Sequence, residues 1–148
     1  MNAIVKWSEK FEVGIDHIDK QHKDLIKLTN DLYKACRTVT KLNKTFKNTM
    51  SQMVEYVRFH FSTEIEMLER INYPNVAVHK KQHDEMVKNI LISVQDYNAG
   101  NKFVPNSFVR DLEDWIFSHI AISDRDYSVY VKDQKNKGLI TDQMITGK

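Results

Sequence analysis

An all-α fold is what this sequence predicts: an antiparallel up-down four-helix bundle preceded by a non-helical N-terminal arm. Three observations carry that prediction. Apolar residues recur at three- and four-residue steps through four long segments, the period of a helix that buries one face. Four glycines and two prolines leave little material for the frequent tight turns of an all-β fold. The connections between the periodic segments are short, and short connections make sequential helices antiparallel neighbours.

The elements follow in order. Residues 1–17 read as the arm, with Trp7 and Phe11 packing on the bundle. The first helix carries Ile18, Leu25, Leu28, Leu32, Ala35 and Val39 inward. Leu42-Asn43 offers a short loop and an N-cap. The second helix carries Phe46, Met50, Met53, Val57, Phe61, Met67, Leu68 and Ile71. Tyr73-Pro74 closes it, because the residue before a proline avoids helical geometry. Pro74 then suits the first turn of a third helix, which carries Val76, Val87, Ile90, Leu91 and Val94 and ends near Asn98-Ala99-Gly100. Pro105-Asn106-Ser107 opens the fourth, with Phe108, Leu112, Trp115, Ile116 and Ile120 facing inward. Residues 1–132 thus make one bundle domain, and residues 133–148 read as a polar tail or short terminal extension.

A chain of 148 residues, 41% hydrophobic and 28% charged, suits one domain with one sizeable core. A formal net charge of +2 gives no field that suggests nucleic-acid binding. The lysine-dense stretch from Lys20 to Lys47 reads as a solvated helix face. The one cysteine, Cys36, permits no intramolecular disulfide, which fits a reducing compartment. The first residues lack the continuous apolar core and cleavage site of a signal peptide, and no apolar run approaches a membrane span. A cytoplasmic protein with no membrane partner is the expectation.

What interrupts the apolar stripes points to function. The inward register of the first helix runs through His22, that of the second through His60 and Glu64, that of the third through His79 and His83, and that of the fourth through His119. Burying a carboxylate costs on the order of 1–5 kcal/mol after relaxation unless something compensates its charge. No lysine or arginine holds a matching inward position, so a cation is the natural partner. His60 and Glu64 are four apart, as are His79 and His83, so each pair lies on one helical face and reaches a common centre. His17, the remaining histidine, precedes the core position Ile18 and falls off the stripe. Asp124 follows His119 by five residues, about 140° away on a regular helix. It joins the site only if the helix ends, or widens its turn, between Ile120 and Ser123; Asp126 competes for the role. Five imidazoles with two carboxylates are too many donors for one ion, and a nitrogen- and oxygen-rich set with bridging carboxylates favours two ions held close together.

Four stretches in order resemble the hemerythrin family, in particular its single-domain bacterial members. They are VGIDHIDKQH (13–22), HFSTE (60–64), YPNVAVHKKQH (73–83) and WIFSHIAISDRDY (115–127), and the likeness spans Trp7 to about Tyr130. The resemblance implies two iron ions, Fe2+ or Fe3+, joined by an oxo or hydroxo bridge. By it, His79, His83 and His119 hold one iron, His22 and His60 hold the other, which keeps an open position, and Glu64 and Asp124 bridge the two. It implies reversible dioxygen binding, for storage, delivery or sensing, rather than catalysis. An oxygen-using enzyme is the partner such delivery would serve. Two positions depart from the family pattern: Met86, where phenylalanine is frequent near the oxygen pocket, and Ile65, where a second glutamate is common.

Three rival functions stand beside this one. A ferritin-like di-iron oxidase would use repeated Glu-x-x-His pairs, and the chain contains none. A redox enzyme turning over peroxide or nitric oxide could use the same open iron. A sensor would change its contacts to a protein partner on binding oxygen.

Overall fold

The computed structural model describes residues 4–36, 42–100 and 104–148. Its main elements are α1 (Asp16–Cys36), α2 (Leu42–Arg70), α3 (Val76–Asn98) and α4 (Val104–Trp115). A π-helical stretch, Ile116–Asp124, continues α4 without a break and runs into α5 (Arg125–Asn136). A short α6, Asp142–Thr146, follows. Helix α1 packs on α2 and α4, and α3 on α2 and α4, so each bundle helix touches its two neighbours. The molecule is an antiparallel four-helix bundle whose fourth member is the long run from Val104 to Asn136. No strand occurs among the described residues.

Helix ends follow local chemistry. After α2, Asn72 adopts a left-handed backbone (φ 56°). The Tyr73 amide then reaches back to the Leu68 carbonyl and the Asn72 amide to that of Glu69, which satisfies the last-turn carbonyls. Pro74 therefore falls in the turn instead of opening α3, which starts at Val76. The backbone of Leu42 and Asn43, expected as a loop, is already helical; the connection to α1, with Val39, lies outside the described residues. Leu91, expected inward, is 37% exposed. Beyond His83 the α3 stripe consists of Met86, Val87, Ile90 and Val94.

The arm is less irregular than its sequence suggests. It holds a 3-10 turn at Glu9–Phe11, and α1 begins at Asp16, within the stretch expected as arm. Asp19 explains this: its carboxylate accepts the amides of Val13 (2.8 Å) and Gly14 (3.1 Å), tying the arm to the first turn of the helix. Asn30 holds the start of the arm, accepting from Ile4 and Val5 and donating to the Val5 carbonyl. Phe11 is fully buried, beside Trp7 and Phe117.

Residues 133–148 differ most from expectation. They do not form a free polar tail. Ile140 and Ile145 are buried against Ile18, Met67, Leu68 and Ile71. The Arg70 guanidinium donates to the carbonyls of Met144 (2.8 Å) and Ile145 (3.1 Å), holding α6 across the end of α2. Two isoleucines five apart are anchor enough for a five-residue helix, yet too few to show a period.

The interior comprises two apolar clusters. One gathers Leu25, Leu32, Phe46, Met53, Phe61, Leu112 and Ile116; the other gathers Ile15, Ile18, Met67, Leu68, Tyr127 and Val131. Along α1, His22 falls between Ile18 of one and Leu25 of the other. Along α2, His60 and Glu64 fall between Val57 and Met67. A polar layer therefore separates the two clusters.

Candidate metal centre

All seven side chains singled out in the sequence meet in that layer. His22, His60, Glu64 and Asp124 are fully buried, and His79, His83 and His119 are at most 3% exposed. Their ligand atoms fall into two groups, each with every member atom within 4.8 Å of the others. One group is Glu64, His79, His83, His119 and Asp124; the other is His22, His60, Glu64 and Asp124. The two carboxylates belong to both. His17 joins neither, and Asp126 lies exposed on α5.

The carboxylates divide their oxygens between the groups. Glu64 Oε1 lies 2.6 Å from His79 Nε2 and 2.9 Å from His83 Nε2. Its other oxygen, Oε2, lies 3.6 Å from His22 Nε2 and 3.5 Å from His60 Nε2. Asp124 repeats the pattern: Oδ1 is 2.9 Å from His79 and 3.0 Å from His119, and Oδ2 is 3.1 Å from His22. Every imidazole presents Nε2. His22 and His60 bring these nitrogens to 3.1 Å, as do His83 and His119. Converging nitrogen lone pairs repel unless a proton or a cation lies among them.

Asp124 reaches the layer because of the π-helix. There the main-chain hydrogen bond joins residues five apart, so a five-residue step closes about one turn. The widened stretch, Ile116–Asp124, starts earlier than the Ile120–Ser123 window where the sequence required a distortion, and it includes both His119 and Asp124.

The electrostatics of the bare side chains fit a cation site. Burial pushes both carboxyl pKa values up, but the surrounding imidazoles outweigh it and hold Glu64 and Asp124 well below the usual carboxylate range. Burial also works against protonated His22 and His79; there the two carboxylates win and raise the pKa to about 9 and about 10. His60 behaves oppositely: burial dominates and lowers its pKa to about 3, so it offers a neutral nitrogen. Two anions are thus balanced by two protons, which a divalent cation can displace.

Two polar residues outside the predicted set touch the layer. The Gln21 carbonyl oxygen Oε1 lies 2.7 Å from His60 Nδ1. An amide oxygen only accepts, so Nδ1 carries the proton and Nε2 keeps its lone pair. The Tyr127 hydroxyl donates to Glu64 Oε2 at 2.8 Å. Sequence reasoning placed no further polar group near the histidines. Position could have found both: Gln21 adjoins His22, and Tyr127 stands one turn after Asp124. The opposite flank is aromatic. Phe61 stacks face to face on His83 (3.7 Å between centroids, 3° between planes), and Trp115 on His119 (4.5 Å, 13°).

A helical bundle with a buried, shared-carboxylate metal layer defines a class, and comparison with known proteins agrees with it. The family model described as "Hemerythrin HHE cation binding domain" matches residues 13–129. The chain belongs to the hemerythrin family, and its cofactor is accordingly a di-iron centre. Within that family it is similar to bacteriohemerythrins. One from Stenotrophomonas maltophilia is 29% identical over 135 residues, covering 91% of this chain and 86% of the relative. Another, from Clostridium acetobutylicum, is 30% identical over 128 residues, covering 82% and 96%. The crystal structure of a wild-type hemerythrin superposes with a TM-score of 0.78 at 25% identity, covering 85% of this chain and 96% of that one.

Proposed function

We propose that this chain binds dioxygen reversibly at two iron ions held by His22, His60, Glu64, His79, His83, His119 and Asp124, and that it acts as an oxygen carrier or store and not as an enzyme. One observation supports this reading above the others: each bridging carboxylate turns one oxygen towards a group with three imidazoles and the other towards a group with two. The two-histidine side supplies one fewer ligand, and that leaves room for a small molecule. Ferrous ions held there would supply reversible electron exchange with dioxygen.

The protein's share of the work is binding, orientation and dryness. Glu64 and Asp124, which belong to both groups, would hold the two cations together. Gln21 fixes the tautomer of His60. Leu25, Phe61, Met86 and Ile116 all belong to the buried apolar cluster on one side of the layer, which keeps water from it. Dryness favours reversibility, because a low-dielectric site penalises any change in net charge. Met86, where the family often has phenylalanine, is a flexible wall, and it would tune pocket shape rather than the ligand set.

Optical cycling tests the reading. The reduced protein should develop an oxygen-dependent absorption band in air and return to its starting spectrum under argon, repeatedly. Irreversible oxidation in the first cycle, or rapid consumption of added peroxide, would show a redox enzyme instead.

A further inference from the structure

We infer that Tyr127 is a positioning residue that weakens the hold of Glu64 on the two-histidine cation, making the Glu64 bridge unequal by design of the fold. The inference rests on the two-cation reading above. Tyr127 is fully buried, and its hydroxyl donates to Oε2, the Glu64 oxygen that faces His22 and His60. Among the described residues, Oε1, facing His79 and His83, receives no such outside donor. Neither oxygen of Asp124 has a hydrogen-bond partner beyond the imidazole contacts described above. Of four bridging oxygens, one is therefore singled out. A donated hydrogen bond draws electron density from a carboxylate oxygen and makes it a poorer donor to a cation.

Satisfying a buried phenol does not by itself call for this arrangement. The neighbouring Tyr130 donates instead to main-chain carbonyls, those of Ile71 and Asn72. Tyr127 also packs edge-on to His79 (5.5 Å) and to Tyr73 (6.2 Å). It comes from the same helical run as Asp124, one turn later, so the element that supplies one bridge adjusts the other.

Stepwise cobalt(II) titration of the metal-free protein, followed by absorption and calorimetry, tests this without any oxygen chemistry. The three-histidine group offers five side chains and the other four, so the former fills first. Tyr127→Phe should tighten the second step roughly three- to tenfold and leave the first unchanged, whereas a hydroxyl that only orients the carboxylate would on removal weaken binding, which would overturn the inference. Incorporating 3-fluorotyrosine at position 127, a more acidic phenol in the same space, should weaken the second step alone; it also decides the matter if the phenylalanine variant folds poorly. Wild-type protein that takes fewer than two cobalt ions would overturn the two-cation reading, and this inference with it. Wild-type protein that takes two, with variants unchanged in both steps or altered equally in both, would overturn the inference alone.

Discussion

Glu64 Oε1 sits 2.6 Å from one imidazole and 2.9 Å from another, and such crowding of buried polar atoms needs positive charge to hold it. In the metal-free protein that charge is protons on His22 and His79, with pKa values raised to about 9 and about 10. Both protons must leave before Nε2 can ligate. Metal affinity should therefore climb with pH below 9, by about tenfold per unit for each proton displaced, readable by titration with a pH indicator. The stability sign is opposite. A raised histidine pKa stabilises the metal-free fold fully below about 6.5 and ceases to do so as pH rises through 9 to 10. Metal-free protein should thus lose stability between pH 7 and 10, and loaded protein should not. Gln21→Leu frees the His60 ring and leaves its N–H unpartnered; metal affinity should fall on the order of tenfold in the same titration. Six of the seven side chains that meet in the polar layer were legible from helical spacing alone. Asp124 was not, because a regular helix puts it on the wrong side of His119. Gln21 and Tyr127 were missed for another reason: Gln21 adjoins His22 off the apolar stripe, and Tyr127 reads as one more core aromatic beside Val131.

At the scale of elements, α6 makes the sharpest forecast. Ile145 is 5% exposed in the cluster around Ile18 and Met67, and Arg70 grips the carbonyls beside it. Ile145→Ala should cost about 2–4 kcal/mol, measured by denaturant unfolding. It should also expose the last residues to protease while leaving metal content intact, since α6 supplies no ligand. The four long helices were legible because each repeats its period over three turns or more. The C-terminal segment was not, because its anchors are two residues in a charged stretch. The π-helix was legible only as a need: the sequence required a widened turn somewhere after His119, and hydrogen bonding along Ile116–Asp124 provided it over a longer stretch.

For the whole molecule, the polar layer is both site and structural weak point. Seven buried polar side chains replace what would otherwise be core between two apolar clusters. Metal binding is therefore folding free energy. His83→Ala should lose metal and thermal stability together, and stripping metal from the wild type with a chelator should lower the melting temperature in the same direction. Among the described residues, no helix is long and apolar enough to cross a membrane.

The central claim is that seven side chains hold two cations through two shared carboxylates. Its most direct test is the iron content of protein purified from cells grown with ample iron, set against a folded-state signal such as circular dichroism. Two irons per folded chain is the predicted result. A normally folded chain carrying one iron or none would contradict it.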